Sequence, residues 1–327
     1  MMITKIHRIT KNNPVRIRIA NADTQCGKSF RYIKMKTFRE ISGNWDNNQI
    51  QILHQYDIDV EEGIEWFKLY DENIYKELEP YFKKWNVFDI LGTEFSKKEI
   101  LATDYCIIER CHSFGYPMPD NDMGYLYNTY DTKNMCDECG IGLIQKDDFR
   151  LRRVPKHPFG GIEWIFDEFF VRTDLYEKIF KPFGIECRPL RKYKGDSIIE
   201  TYVQLVIPVI DEPLDLSYYE SYTCPKCGVT KYDAMTFGYY PLQENPLPHI
   251  YKSKEYFGDG FSANRKIFVS AHLRDLMIEN GMMKFWGFVP CAKAEELSIK
   301  NQDLMKWPKP KRTMGCDTSN FIIAIPD

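Results

Sequence analysis

The sequence predicts an α+β chain in two parts: an N-terminal α+β region over residues 1–114, then a pseudo-duplicated strand–helix–strand domain over residues 115–327. Three observations predict it. The motif Cys136-Asp137-Glu138-Cys139-Gly140 returns far downstream as Cys224-Pro225-Lys226-Cys227-Gly228. After each copy comes a strand pattern, a helical pattern with a glycine stop, and a second strand pattern. Between the parts, Gly115-Tyr116-Pro117-Met118-Pro119-Asp120-Asn121-Asp122 is rich in residues that favour turns.

In the first part, Val15-Arg16-Ile17-Arg18-Ile19 alternates apolar and charged residues, as a half-buried strand does. Ile64, Phe67, Tyr70, Ile74 and Leu78 recur at helical spacing, predicting a helix over Gly63 to Glu79 that Pro80 interrupts. Leu101 to Glu109 reads as a buried strand ending near Arg110.

In the second part, Phe169-Phe170-Val171-Arg172 reads as a strand with Thr173 as the following N-cap. Leu175, Tyr176, Ile179 and Phe180 form one helix face, Pro182 and Gly184 stop it, and Ile185 to Pro189 resumes as a strand. The second instance runs from strand Lys266 to Val269 through the cap Ser270. It continues with the face Leu273, Leu276 and Met277, the stop Gly281, and the strand Phe285 to Pro290. Beyond Glu296, Trp307-Pro308-Lys309-Pro310-Lys311-Arg312 reads as a stiff basic linker and Phe321 to Ile325 as a final strand.

The cysteine motifs carry chemistry. Two thiolates two residues apart on a tight turn, with glycine next to supply a positive φ, make half of a zinc knuckle. Zinc takes four ligands in a tetrahedron, so Cys136, Cys139, Cys224 and Cys227 complete one closed site that clasps the two halves. A catalytic zinc needs an open position and four thiolates leave none, so the expected cofactor is structural Zn2+. Iron also binds four thiolates. A redox-active Cys-x-x-Cys would need one pair acting alone in a thioredoxin-like context, which neither segment has. Cys26, Cys106, Cys187, Cys291 and Cys316 read as small buried hydrophobes, and Cys111 with His112 lacks further metal partners.

Other chemistry is not supported by the pattern. Gly27-Lys28-Ser29 ends like a phosphate-binding loop, yet Ala22 stands where the opening glycine belongs. Gly258 and Gly260 lack the third glycine of a dinucleotide fingerprint. His54, His157, His249 and His272 are isolated from one another, and Asp167 and Glu168, as neighbours on a strand, would face opposite sides. The expectation is therefore no enzyme, no catalytic residues and no small-molecule substrate. A net charge of -3 provides no global basic field for nucleic acid. The basic runs around Arg150–Lys156, Arg188–Lys194 and Lys306–Arg312 read as solvated faces. Neither a signal-like stretch at Met1 to Arg8 nor an apolar run of spanning length is present, so no membrane partner is expected. With ten cysteines this points to thiols and metal in the cytoplasm.

Residues 115 to 292 resemble the double-CxxCG motif proteins, a bacterial family that includes immunity proteins of contact-dependent toxin systems. The resemblance rests on the two Cys-x-x-Cys-Gly motifs at comparable separation, on Trp164 to Pro189 between them, and on Phe268-Val269-Ser270 through Val289-Pro290. It implies an antitoxin that binds one cognate toxin domain 1:1 and blocks it, using a rigid metal-clasped scaffold. The residues before 115 and after 296 carry no comparable motif. Two alternatives stand beside it: a zinc-ribbon nucleic-acid-binding protein, and an enzyme whose site is assembled from scattered groups such as Asp167, Glu168 and His157. For an interface, Asp57-Ile58-Asp59-Val60-Glu61-Glu62 with Trp66 combines acid and aromatic character, against the plain reading of a solvated face.

Overall fold

The computed structural model describes residues 35–113, 116–154, 160–165, 167–234, 236–244, 247–258 and 263–308. They divide into two units, residues 35–94 with 302–308 and residues 95–301. The division falls at Glu94, ahead of the turn-rich segment at Gly115. The segments Val15–Ile19, Lys309–Arg312 and Phe321–Ile325, with Cys26, Cys316 and His157, lie outside the described residues.

The first unit runs β1 (Lys36–Trp45), α1 (Asn47–His54), β2 (Gly63–Leu69), α2 (Glu72–Trp85), β3 (Phe88–Glu94). Its sheet has the order β2-β1-β3, antiparallel throughout. Asp46 caps α1 in a reciprocal box with Gln49, and the Asp71 carboxylate accepts from the first-turn amides of α2. The helix expected over Gly63 to Glu79 is corrected: Gly63–Leu69 is a strand and the helix starts only after Asp71. Ile64 and Phe67 matched helical spacing by coincidence, because a strand and a helix follow each other with only Tyr70 and Asp71 between. The helix also continues through Pro80 to Trp85. Pro80 is exposed, and so is Lys76, whose carbonyl its missing amide leaves without a helical partner. Burial of Tyr75, Leu78 and Phe82 offsets the cost of about 3 kcal/mol. Trp307, read as linker, instead packs on Tyr75 with ring centroids 5.6 Å apart.

The second unit opens with α3 (Lys97–Leu101) and β4 (Tyr105–Ile108). The strand expected from Leu101 is thereby shortened, since the capping box of Ser96 and Glu99 nucleates a helical turn first. Then come β5 (His112–Ser113), α4 (Gly124–Thr129), β6 (Tyr130–Asp131), β7 (Ile144–Gln145), β8 (Arg150–Leu151), β9 (Ile162–Ile165) and β10 (Glu168–Arg172). A helical stretch of three joined turns, Thr173–Leu175, Tyr176–Phe180 and Lys181–Phe183, leads to β11 (Glu186–Lys192) and β12 (Ile198–Val206). The central turn is a π-helix with Tyr176, Ile179 and Phe180 buried. Thr173 does not cap it; its hydroxyl donates to the carbonyl of Glu200. The chain continues through β13 (Ser221–Thr223), β14 (Thr230–Tyr232), β15 (Tyr240–Pro241), β16 (Ile250–Lys252), β17 (Tyr256–Phe257) and β18 (Ile267–Ser270). It then forms the long helix Ala271–Glu279, the strand β19 (Phe288–Ala292) and the helix Ala294–Lys300. As expected, Ser270 caps the long helix by accepting from the Leu273 amide.

Sheet order reveals one arrangement used three times. β10 and β11 both pair antiparallel with β12, and β18 and β19 both pair antiparallel with β4. In the first unit β2 and β3 flank β1 likewise. Each time a strand, a helical segment and a parallel second strand leave a gap that an antiparallel strand fills. β12 follows its pair in sequence, whereas β4 comes from far upstream of its own. Within the second unit one core joins the sheets. Val171, Phe180 and Leu205 share it with Val269, Leu273, Met277 and Phe288. Among the described residues no helix is long and apolar enough to cross a membrane.

Candidate metal centre

The first Cys-x-x-Cys lies in the loop between β6 and β7, and the second in the turn between β13 and β14, where Thr223 pairs with Thr230. Their local folds are the same. The Cys136 amide donates to the Ile141 carbonyl at 2.8 Å and the Gly140 amide to the Cys136 carbonyl at 2.7 Å. In the second copy the Cys224 amide donates to Val229 and the Gly228 amide to Cys224, both at 2.9 Å. Gly140 and Gly228 take φ of 70° and 72°, the left-handed conformation that closes each turn.

The four sulfurs predicted from the sequence converge: all lie within 4.8 Å of one another. Cys136 and Cys224 are 3.9 Å apart at Sγ, and Cys139 and Cys227 are 3.5 Å apart. A zinc tetrahedron with Zn–S bonds of about 2.3 Å has sulfur edges of about 3.8 Å, so these spacings fit. A disulfide would bring two sulfurs to about 2.0 Å, far closer than any of these. Cys136, Cys139 and Cys224 are buried and Cys227 is exposed. Lys226 of the second turn donates to Asp137 of the first at 2.7 Å, which holds the Asp137 carboxyl below its usual range.

The thiols' surroundings differ across the cluster. Burial pushes the Cys139 thiol up to about 12. The Cys227 amide, with that of Lys226, brings Cys224 down to about 7 despite burial. A divalent cation at the centre would supply the charge that lets all four sit as thiolates.

Beside this centre lies a cavity of about 260 Å³ lined by Tyr130, Gly140, Ile141, Asp167, Glu168 and Lys252, among others. Asp167 and Glu168 were expected to point apart, but both reach Lys252. Its ammonium donates to Glu168 at 2.6 Å and lies 3.7 Å from Asp167. Asp167 sits in the turn before β10 rather than in the strand, so strand alternation does not govern it. Gln204 donates to the other Glu168 oxygen at 3.0 Å and exchanges amide bonds of 2.7 and 2.8 Å with Gln145. The relay thus runs from β7, just past the first cysteine turn, through β12 and β10 to β16 in the other sheet. Burial raises the Glu168 carboxyl against the pull of Lys252. Burial would lower Lys252, but Asp167 and Glu168 reverse this and raise it. Nothing local marks Gln145 or Gln204. The one available signal was a lysine ending the apolar run Ile250-Tyr251, since a buried ammonium requires a carboxylate partner.

The remaining candidates resolve individually. Cys106 and Cys291 are buried, and the Arg274 guanidinium also reaches Cys106, at 3.5 Å. The Cys111 thiol donates to the Ile162 carbonyl. His249 and His272, isolated in sequence, both rest edge-on against Phe183, with centroids 6.4 Å from each other. In the basic runs, Arg150 pairs with Asp147 and Asp196, Arg152 with Asp120, and Arg191 with Asp148. No family model matches the chain, and comparison with curated proteins and with solved structures returns no match.

Proposed function

We propose that this chain is a cytoplasmic immunity protein that binds and neutralises a cognate bacterial toxin domain, with one structural zinc in the four-cysteine cluster. The observation that carries the reading is the meeting of the two Cys-x-x-Cys-Gly turns in matched local folds, with all four sulfurs within 4.8 Å of one another. Four cysteine ligands would leave a zinc ion no open position, which supports a structural part for it in fixing the scaffold. The same two motifs are part of what carries the resemblance to the double-CxxCG immunity proteins. Pairing of the split strand–helix–strand halves around β12 and β4 supports a pseudo-duplication held at the metal. Acid pairing of Arg150, Arg152 and Arg191 weighs against the alternative of a nucleic-acid-binding ribbon.

The test is co-expression with the toxin domain encoded beside this gene. Growth should be rescued, and the two proteins should co-elute as a 1:1 complex. Persistent toxicity together with separate elution refutes the reading. Elemental analysis of the purified chain should return one zinc per molecule.

A second reading is favoured by the cavity, where Asp167, Glu168 and Lys252 converge against tyrosine walls: a small-molecule or catalytic site. Loss of a measured activity in Asp167→Asn with unchanged toxin binding would select it.

A further inference from the structure

We propose that the open face of the β2-β1-β3 sheet is a docking surface for a basic protein partner, one that presents a lysine or arginine side chain to a row of aromatic residues. This rests on the immunity reading only for the partner's identity.

The register defines the face. In β1, Arg39, Ile41 and Trp45 are buried on the side where Trp45 meets Trp85 of α2. Glu40, Ser42 and Asn44 therefore point the other way. Opposite them stand Lys68, Trp66 and Ile64 of β2 and, across β1, Ile90 and Phe88 of β3. Trp66, Ser42 and Phe88 form one straight row. With strands about 4.8 Å apart, the two aromatic residues stand roughly 10 Å apart at the backbone, over a small serine. Ile64 is 83% exposed, Trp66 58% and Phe88 44%.

Two observations set the partner's charge. Asp57, Asp59, Glu61 and Glu62 are exposed in the loop that leads into β2, two residues from Ile64. Residues 35–94 carry thirteen Asp and Glu against six Lys and Arg. The other end of the same face already holds a cation on a ring: the Lys68 ammonium lies 4.2 Å from the centroid of the buried Phe38. A partner's cation over Trp66 would repeat that contact, with its charge drawn in by the acidic loop. A second copy of this chain fits poorly, because a two-fold contact would set one acidic face against another.

The test uses the full chain carrying fluorotryptophan, with the Trp66 resonance assigned by its loss in Trp66→Phe. The probes are short peptides of alternating Arg and Leu and of alternating Glu and Leu. The Arg-Leu peptide should shift the Trp66 signal, and the Glu-Leu peptide should not. Glu61→Lys with Glu62→Lys, and separately Ile64→Ser, should each weaken that binding at least about tenfold. A Trp66 signal untouched by the Arg-Leu peptide, or moved equally by both peptides, overturns the proposal. So does a shift with protein concentration alone, which means a second copy. A shift on removing residues 1–34, which hold eight Lys and Arg against one Asp, means that the chain's own segment covers the face and also overturns it. With the neighbouring toxin domain in hand, a rescued complex that leaves Trp66 unmoved ends this proposal and spares the immunity reading. Peptide binding without any toxin rescue does the reverse.

Discussion

The sulfurs of Cys139 and Cys227 lie 3.5 Å apart although the residues are 88 positions apart, so a metal held there as proposed would bridge two distant hairpins. Structural zinc in small modules contributes about 10–16 kcal/mol, as much as the whole stability of a typical domain at about 5–15 kcal/mol. Cys139→Ser should therefore lose the metal and leave residues 95–301 without a cooperative thermal transition, read by calorimetry alongside elemental analysis of the full chain. Lys226→Ala removes only an exposed ion pair beside the same site and should keep both metal and melting temperature. A Cys139→Ser protein that still melts cooperatively with metal bound would show that the clasp is not closed as described.

Lys252 is the test of the buried relay. Replacing it with Met leaves Glu168 buried without its counter-charge, and breaking such a pair costs about 3–5 kcal/mol. Urea unfolding should show that loss for Lys252→Met and a recovery of most of it in Lys252→Met with Glu168→Leu. A loss in the double variant as large as in the single one would mean that the charge balance is not what the pair contributes.

The clasp was legible in the sequence because its chemistry is local: each half needs only Cys-x-x-Cys-Gly, and only the meeting of the halves is a tertiary fact. The strand, cap and helix around Ser270 and the stop at Gly281 were legible for the same reason, since they lie within one short window. The strand expected from Phe285, however, begins only at Phe288 after a 3-10 turn. Long-range partnerships were not. β4 completes a sheet between β18 and β19 from more than 150 residues upstream, and no pattern within Tyr105–Ile108 says so. The relay of Gln145, Gln204 and Lys252 carried almost no signal, because amides and a lysine carry no spacing rule; only the lysine ending Ile250-Tyr251 hinted at it. The strand Gly63–Leu69 was read as helix because apolar residues at 64, 67, 70, 74 and 78 satisfy helical spacing across what is really a junction.

Glu163 predicts a pH dependence. It is buried in β9, and burial pushes its carboxyl up to about 7 from an ordinary 4.5. An acid whose folded pKa lies above its unfolded value holds its proton more tightly when folded. Its contribution is fully present below about 4.5 and is lost as pH rises through about 7. Glu163→Gln should match the native chain at pH near 4 and exceed it at pH near 8 by about 1–2 kcal/mol, after allowance for solvent screening. Chemical denaturation at the two pH values measures it, and a constant difference between them would count against a buried titrating carboxyl.

Gly142 seals the first cysteine hairpin by close approach. Its φ is +108°, and a Cβ there would meet the Asn134 carbonyl oxygen at 2.1 Å and its carbon at 2.9 Å. Both contacts are backbone, so no side chain can rotate away, and the loop between β6 and β7 must open to admit a methyl group. Gly228 offers the control: its φ is +72°, with nothing within 4 Å of the added atom. Gly228→Ala should therefore cost only the left-handed backbone penalty of about 1–2 kcal/mol and keep its metal. Gly142→Ala should cost more than that and weaken metal retention, because displacing Asn134 moves Met135 and then Cys136. Competition with a colorimetric chelator ranks the variants directly. Equal metal affinity for Gly142→Ala and Gly228→Ala would show that the hairpin yields without disturbing its cysteines.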